Sequence, residues 1–401
     1  MATAQTQPAP NPAVQAANAN MAARNLLLYG NPAAGIAPAV EMWQRINPTL
    51  PSSPGPGSVI TFNLRNVGLI KRVIFEIKAT VTAGATSTQT LTAFGLPNLI
   101  SNVTFTDFGN NQRINTYGWH LFGVSTAKRR RVFGAAYTSD TPAGYGNINN
   151  RIVYAPSSIA ANGSSEIDLM LEIPFVKDDR DLRGILYGDV TNANTQIQIT
   201  LNPNMFVSST ADPTLAVYQS GGSDLASISS ISIQATQVYL DQIPRINGKP
   251  VLPVQDLTYA YLLNQAVSTL PTAAQDNSTA FTNARFYESV MMYYDNNGTL
   301  NANGSDLNYV RLTSANFTNI RDYDPKVLGL KGRNLIMNDF PKGMYFLDFR
   351  DRPIDTNQYG NMQLTINPSS VGGSSAYLGF GFESYGLIGQ VNQGGAIASG
   401  A

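Results

Sequence analysis

From Ser58 onward the hydrophobic positions fall two residues apart. Ile60, Phe62 and Leu64 alternate with Thr61, Asn63 and Arg65; Val73, Phe75, Ile77, Ala79 and Val81 alternate with Arg72, Ile74, Glu76, Lys78 and Thr80. This is the period of a strand with one face buried and one wetter. It recurs at Ile167, Leu169, Leu171 and Ile173, at Ile197, Ile199 and Leu201, and at Ile231 and Ile233, with turn-rich segments such as Asn110-Asn111 and Gly221-Gly222 between. Further strands are expected over 286–294, 344–349, 362–366 and 378–382. Many short strands without long helices between them predict an all-β chain of the sandwich or barrel class.

Residues 1–57 follow a different rule. Asn11 is a good N-cap and Pro12 a good first helical residue. Val14, Ala17, Met21 and Leu28 then share one helical face, and Gly30 and Pro32 end the pattern. A helix over 12–29 would be about 27 Å long. Its face is mostly alanine and asparagine, so it needs a partner surface. The Pro/Gly-rich stretch that follows, with Trp43 and Arg45 at its centre, predicts an extended linker.

A second break falls at 241–253, where Pro244, Asn247-Gly248, Pro250 and Pro253 interrupt any strand. The chain thus divides into an arm (1–57), two β units (58–242 and 243–388) and a tail (389–401) without core-forming pattern. An internal echo supports duplication: Thr104-Phe105-Thr106-Asp107 and Met292-Tyr293-Tyr294-Asp295 each run into an Asn/Gly turn. Short helices are expected at 179–186 and from Asp324-Pro325.

Composition narrows the function. Charged residues make up 13% of the 401 residues, about half the usual ~25%. Polar, uncharged surface suits large contacts with copies of the same chain, where buried charges would need partners. Formal net charge is zero, so nothing points to sequence-specific nucleic-acid binding. With no cysteine and one histidine, thiolate metal sites and multi-histidine sites are excluded by counting. No apolar run approaches the ~20 residues of a membrane span, and the first residues do not resemble a secretory signal. The six Asn-x-Ser/Thr sequons are expected of an Asn- and Thr-rich chain.

Few motifs carry chemistry. His120, between Trp119 and Leu121, is expected to pack rather than to act as ligand or base. Asp348, Arg350, Asp351 and Arg352 alternate in sign and predict an ion-paired turn. The oxygen-rich loop 295–306 lacks calcium-loop spacing. Lys128, Arg129, Arg130 and Arg131 form a basic run, open to three readings: a solvated loop, an inter-subunit contact, or a lipid or genome contact. No nucleophile–base pair or metal set is present, so no enzyme, cofactor or metal is expected.

One resemblance adds to this. Asn98-Leu99, Asn111-Gln112-Arg113, Gly118-Trp119-His120-Leu121, Tyr239-Leu240-Asp241-Gln242, Asn247-Gly248 and Asp324-Pro325-Lys326 stand in an order similar to tectivirus-type double jelly-roll major capsid proteins. So do Asp339-Phe340-Pro341-Lys342-Gly343, Arg350-Asp351, Pro353-Ile354 and Gln358-Tyr359-Gly360-Asn361. The resemblance implies two eight-stranded antiparallel jelly rolls in tandem, and a homotrimer that tiles an icosahedral virion shell around an internal membrane and dsDNA genome. It implies neighbouring trimers, penton and minor capsid proteins as partners, and assembly in the host cytoplasm. It also implies that the arm helix rests on lipid; the helical face read above would then turn Val14, Met21 and Leu28 to the membrane, with Arg24 at the polar edge. The arm and the extra Arg129-Arg130-Arg131 depart from the family pattern. A receptor-binding or spike jelly roll is the competing reading.

Overall fold

The computed structural model describes residues 11–92, 95–109, 111–129, 153–190, 195–267, 275–296, 306–315, 320–336, 343–369 and 376–388. One sheet runs through both halves of the chain. Its first-half strands stand in the order Val59–Asn63, Gln196–Leu201, Ile100–Thr106, Gln112–Thr116. Its second-half strands follow as Tyr259–Val267, Tyr377–Leu387, Phe286–Asp295, Met344–Asp348. In each run the spatial order is first, fourth, second, third along the chain. The two echo segments therefore occupy the same place, third in their runs, and their aspartates, Asp107 and Asp295, are both buried. The runs join by a parallel pairing, Ile114 opposite Leu263 and Asn115 opposite Asn264.

Each run is faced by a second sheet with four main strands, the first-half sheet also carrying Val40–Ile46 and Leu186–Tyr187. In the first half these are Ser227–Asp241, Leu69–Thr82, Ser164–Pro174 and Val153–Tyr154. In the second they are Asn277–Ala280, Gln363–Pro368, Leu307–Thr313 and Arg321–Tyr323. Four strands on four make the two sandwiches that the alternation and the resemblance predict. The inward set of Leu69–Thr82 (Val73, Phe75, Ile77, Ala79, Val81) is buried against Ile60, Phe62, Val103, Phe105, Ile197 and Ile199. Each large member contributes about 1.5–3 kcal/mol. This alternation of dry and wet positions is lost in the shared sheet's second-half strands Phe286–Asp295 and Tyr377–Leu387. Along Phe286–Asp295, Val290, Met292 and Tyr294 enter the second core, while Met291 and Tyr293 enter the first.

Five α-helices lie among the described residues: α1 (Pro12–Tyr29), α2 (Gly118–Arg129), α3 (Val254–Thr258), α4 (Pro325–Ile336) and α5 (Thr356–Tyr359). α1 has the expected ends. Asn11 Oδ1 accepts from Ala13 N at 3.0 Å, Pro12 opens the first turn, and Gly30 closes the last at φ 66°. α4 starts as expected, with Lys326 N donating to Asp324 Oδ1 at 2.8 Å. α2 was not expected. It buries Trp119, Leu121, Phe122, Val124 and Ala127 between the halves.

Two expectations are corrected. Residues 179–186 form no helix: Asp178 Oδ1 accepts from the backbone N–H of Arg180 and Asp181 (2.7 and 2.8 Å), a local turn that competes with helix. The arm is not all linker. Val40–Ile46 pairs antiparallel with Ser227–Asp241, from Val40 opposite Asp241 to Ile46 opposite Ala235, as an edge strand of the first sandwich. Only Ile46 of that strand is buried, so it carries no period-two signal.

Between the halves lies a hairpin, Arg245–Ile246 paired with Lys249–Pro250. Its two-residue turn, Asn247-Gly248, has both φ positive (52° and 75°), the geometry these two residues tolerate best. No strand runs through it, and α3 follows directly.

Candidate functional site

α1 is seated on the body by polar groups rather than by the apolar line read from its sequence. Arg24 Nε donates to Asp256 Oδ2 at 2.8 Å and Arg24 Nη2 to Asp256 Oδ1 at 2.5 Å. Asn20 grips α3 at two successive residues: its Nδ2 donates to Asp256 Oδ1 at 3.0 Å, and its Oδ1 accepts from Gln255 N at 2.9 Å. Leu27 is the one fully buried side chain of the helix, in a small cluster with Leu69, Val176, Leu182, Ile185 and Leu240. Burial would lower the Arg24 pKa, but the hydrogen bond and charge of Asp256 outweigh it, so the guanidinium is held above its ordinary value. Asp181, 3.4 Å from Arg24 Nη2, is also paired with Arg183. Its pKa lies below the usual carboxylate range, the arginines overcoming desolvation.

The seat continues into the seam between the sandwiches. Gly184 N donates to Asp256 O at 3.0 Å, and Arg113 Nη1 donates to Gly184 O at 2.9 Å. Arg113 is buried against Asp107 at 2.6 Å. Lys177 Nζ lies 2.6 Å from the fully buried Glu288, and Glu383 accepts from Tyr261 Oη and Ser289 Oγ, both at 2.6 Å. The Gly184–Asp256 and Lys177–Glu288 contacts cross from first-half to second-half elements, and Lys177 sets a positive charge against the buried Glu288.

The predicted membrane-facing residues separate. Val14 and Met21 are 53% and 55% exposed, and Leu28 is partly buried against the Leu27 cluster. Arg24 is turned into the body by Asp256 and is not at a free polar edge. Lys128 and Arg129 end α2, and Arg130 and Arg131 lie outside the described residues. The residues that hold the arm, Asn20, Asp181 and Asp256, carried no signal in the sequence. Asparagine on a weak helix face, one aspartate of the charged run 177–183 and a lone Asp256 are common features, and only the fold brings them together.

The remaining motifs resolve structurally. His120 is fully buried on α2, sharing a 2.5 Å hydrogen bond between its Nδ1 and Thr116 Oγ1. Burial lowers its pKa to about 4, against the opposing charge of Glu383. Arg350 pairs bidentately with Asp348 at 2.7 and 2.8 Å. In the 295–306 loop, positions 297–305 lie outside the described residues, and no group of three or more metal-binding side chains occurs among the described ones.

Two family models match the chain. The P3 major capsid protein N-terminal model covers residues 2–243, and the P3 major capsid protein C-terminal model covers residues 258–399. Major capsid protein P3 of Enterobacteria phage PRD1 is 33% identical over 374 residues, covering 92% of each chain. Among solved structures, the STIV major capsid protein superposes with a TM-score of 0.58 at 13% identity, over 88% of this chain and 99% of that one. The major capsid protein P2 of bacteriophage PM2 gives 0.50 at 10% identity, over 87% and 98%. These structural likenesses concern the fold.

Proposed function

Because the chain belongs to the P3 major capsid protein family and is thus a structural protein of a phage virion, we propose that its working unit is a homotrimeric, pseudo-hexagonal capsomer. Three copies present six sandwiches, those of residues 58–242 and 243–388, with residues 40–46 extending the first. Such blocks tile an icosahedral shell around an internal membrane and dsDNA genome, and meet penton and minor capsid proteins where the tiling closes. The observation that supports this reading most is the seam: a shared sheet, α2 and buried ion pairs lock two sandwiches into one rigid tile. A rigid tile lets many weak contacts add up in a closed assembly.

The arm completes the tile. α1 stays on the body through Asp256 and leaves Val14 and Met21 outward to meet lipid. Each copy offers little apolar area, so the shell holds the membrane by repetition. Light scattering of the purified protein should give three times the 43.1 kDa chain mass. A monomer at micromolar concentration would overturn the trimer.

A further inference from the structure

The hairpin between the two sandwiches is built for a surface that the subunit itself does not supply. Ile246, the strand residue beside its turn, is 43% exposed. Arg245 and Lys249 flank it, both exposed, and neither forms an ion pair among the described residues. Arg245 reaches only Gly248 O, within the hairpin, at 3.5 Å. The hairpin is rooted beside α1. Ile243 and Leu252, on either side of it, pack into the cluster that holds Leu27 and Leu28. α3 then starts at Val254, which is 64% exposed and adjoins Gln255, the residue bonded to Asn20. Val14, Met21, Val254 and Ile246 are thus unshielded apolar side chains on α1 and on the elements that carry its seat.

The charge is one-sided as well. No acid occurs in residues 1–40 or 242–255. At the seat, Asp181 and Asp256 are occupied by Arg183 and Arg24, and Asp241, at the root of the hairpin, accepts from Gln242 N. Exposed apolar groups flanked by free cations match the headgroup layer of an anionic bilayer, where side chains enter and cations stay at the phosphates. Nucleic acid would use the cations but not the isoleucine and valine.

We propose that the hairpin is a second lipid-contacting element: Ile246 enters the headgroup layer, and Arg245 and Lys249 meet anionic headgroups. This rests on the reading that α1 faces the membrane, and it adds a charge preference that α1, with Arg24 engaged, lacks. The short, turn-locked hairpin holds both cations in place at little ordering cost.

The test is flotation of the full-length protein with phosphatidylcholine vesicles, with and without phosphatidylglycerol. Wild type should prefer the anionic vesicles. Arg245→Ser with Lys249→Ser should weaken that binding about 30-fold, a factor of about five per cation, and leave neutral vesicles unchanged. Ile246→Asp should weaken both, and near-wild-type melting would show that each variant folds. If these variants float as wild type while Val14→Asp with Met21→Asp does not, the hairpin proposal is overturned and the α1 reading stands. If wild type floats with neither vesicle even at saturating lipid, where weak binding by single copies still shows, both fall. DNA binding that the serine variants abolish, without vesicle binding, would overturn the hairpin proposal in favour of a genome contact.

Discussion

The two halves of the shared sheet are built alike and buried differently. In the first half its strand Gln196–Leu201 alternates, with Ile197, Ile199 and Leu201 buried and Gln196, Gln198 and Thr200 wetter. In the second half nine of ten positions of Phe286–Asp295 are buried, as are most of Tyr377–Leu387. The first-half strand faces a core on one side and solvent on the other. The second-half strands face their own core on one side and α2 with the first core on the other. Double burial removes the polar positions that make a strand readable. It also puts charged groups, Glu288 and Glu383, where each must have a partner.

The contrast can be broken most directly at Gly381. A Cβ there would overlap the His120 ring. Gly381→Val should abolish soluble folded protein, while Gln234→Val on the wet face of Ser227–Asp241 should change stability by about 0.5 kcal/mol or less. Soluble, cooperatively melting Gly381→Val would show that α2 does not press on the second-half sheet.

A pH experiment probes the same contact more gently. His120 has a pKa of about 4 in the folded chain, against about 6.5 unfolded. Because the unfolded state binds the proton first, stability is intact above the unfolded value and is lost as pH falls toward the folded one. Between pH 7 and pH 5 this amounts to about 2 kcal/mol. Urea midpoints of wild type and His120→Gln should therefore diverge in pH dependence, with the variant losing less. Parallel curves would mean that the ring is reached by solvent.

The smallest effect belongs to the wet face. Lys78, 3.0 Å from Glu76 and 3.6 Å from Asp168, is mostly exposed, so Lys78→Ala should cost no more than about 0.5 kcal/mol. Asp168, raised to about 6 by burial and then by Glu76, should titrate still higher once that cation is gone. NMR titration of the carboxyl would show it, and an unchanged or lower value would contradict the pairing.

Local patterns in the chain determined a good deal. Asn11-Pro12 and Gly30 bounded α1, Asp324-Pro325 opened α4, and period two located the half-wet strands. Asn247-Gly248 among prolines marked the break between the two units, though not the hairpin that fills it. Each is a property of neighbours within a few residues, where dihedral preference and one-sided wetting act. The turn at 179–186 is also local, set by Asp178 accepting from the next residues' N–H groups, and helix periodicity misses it. The tertiary structure alone decided that α1 docks by Asn20 and Arg24, that 40–46 is an edge strand, and that α2 sits between two cores. Those outcomes depend on Asp256, Ser227–Asp241, and Met291 with Gly381. These partners lie far away in the chain, and no local period or cap encodes them, because their free energy exists only once distant surfaces meet.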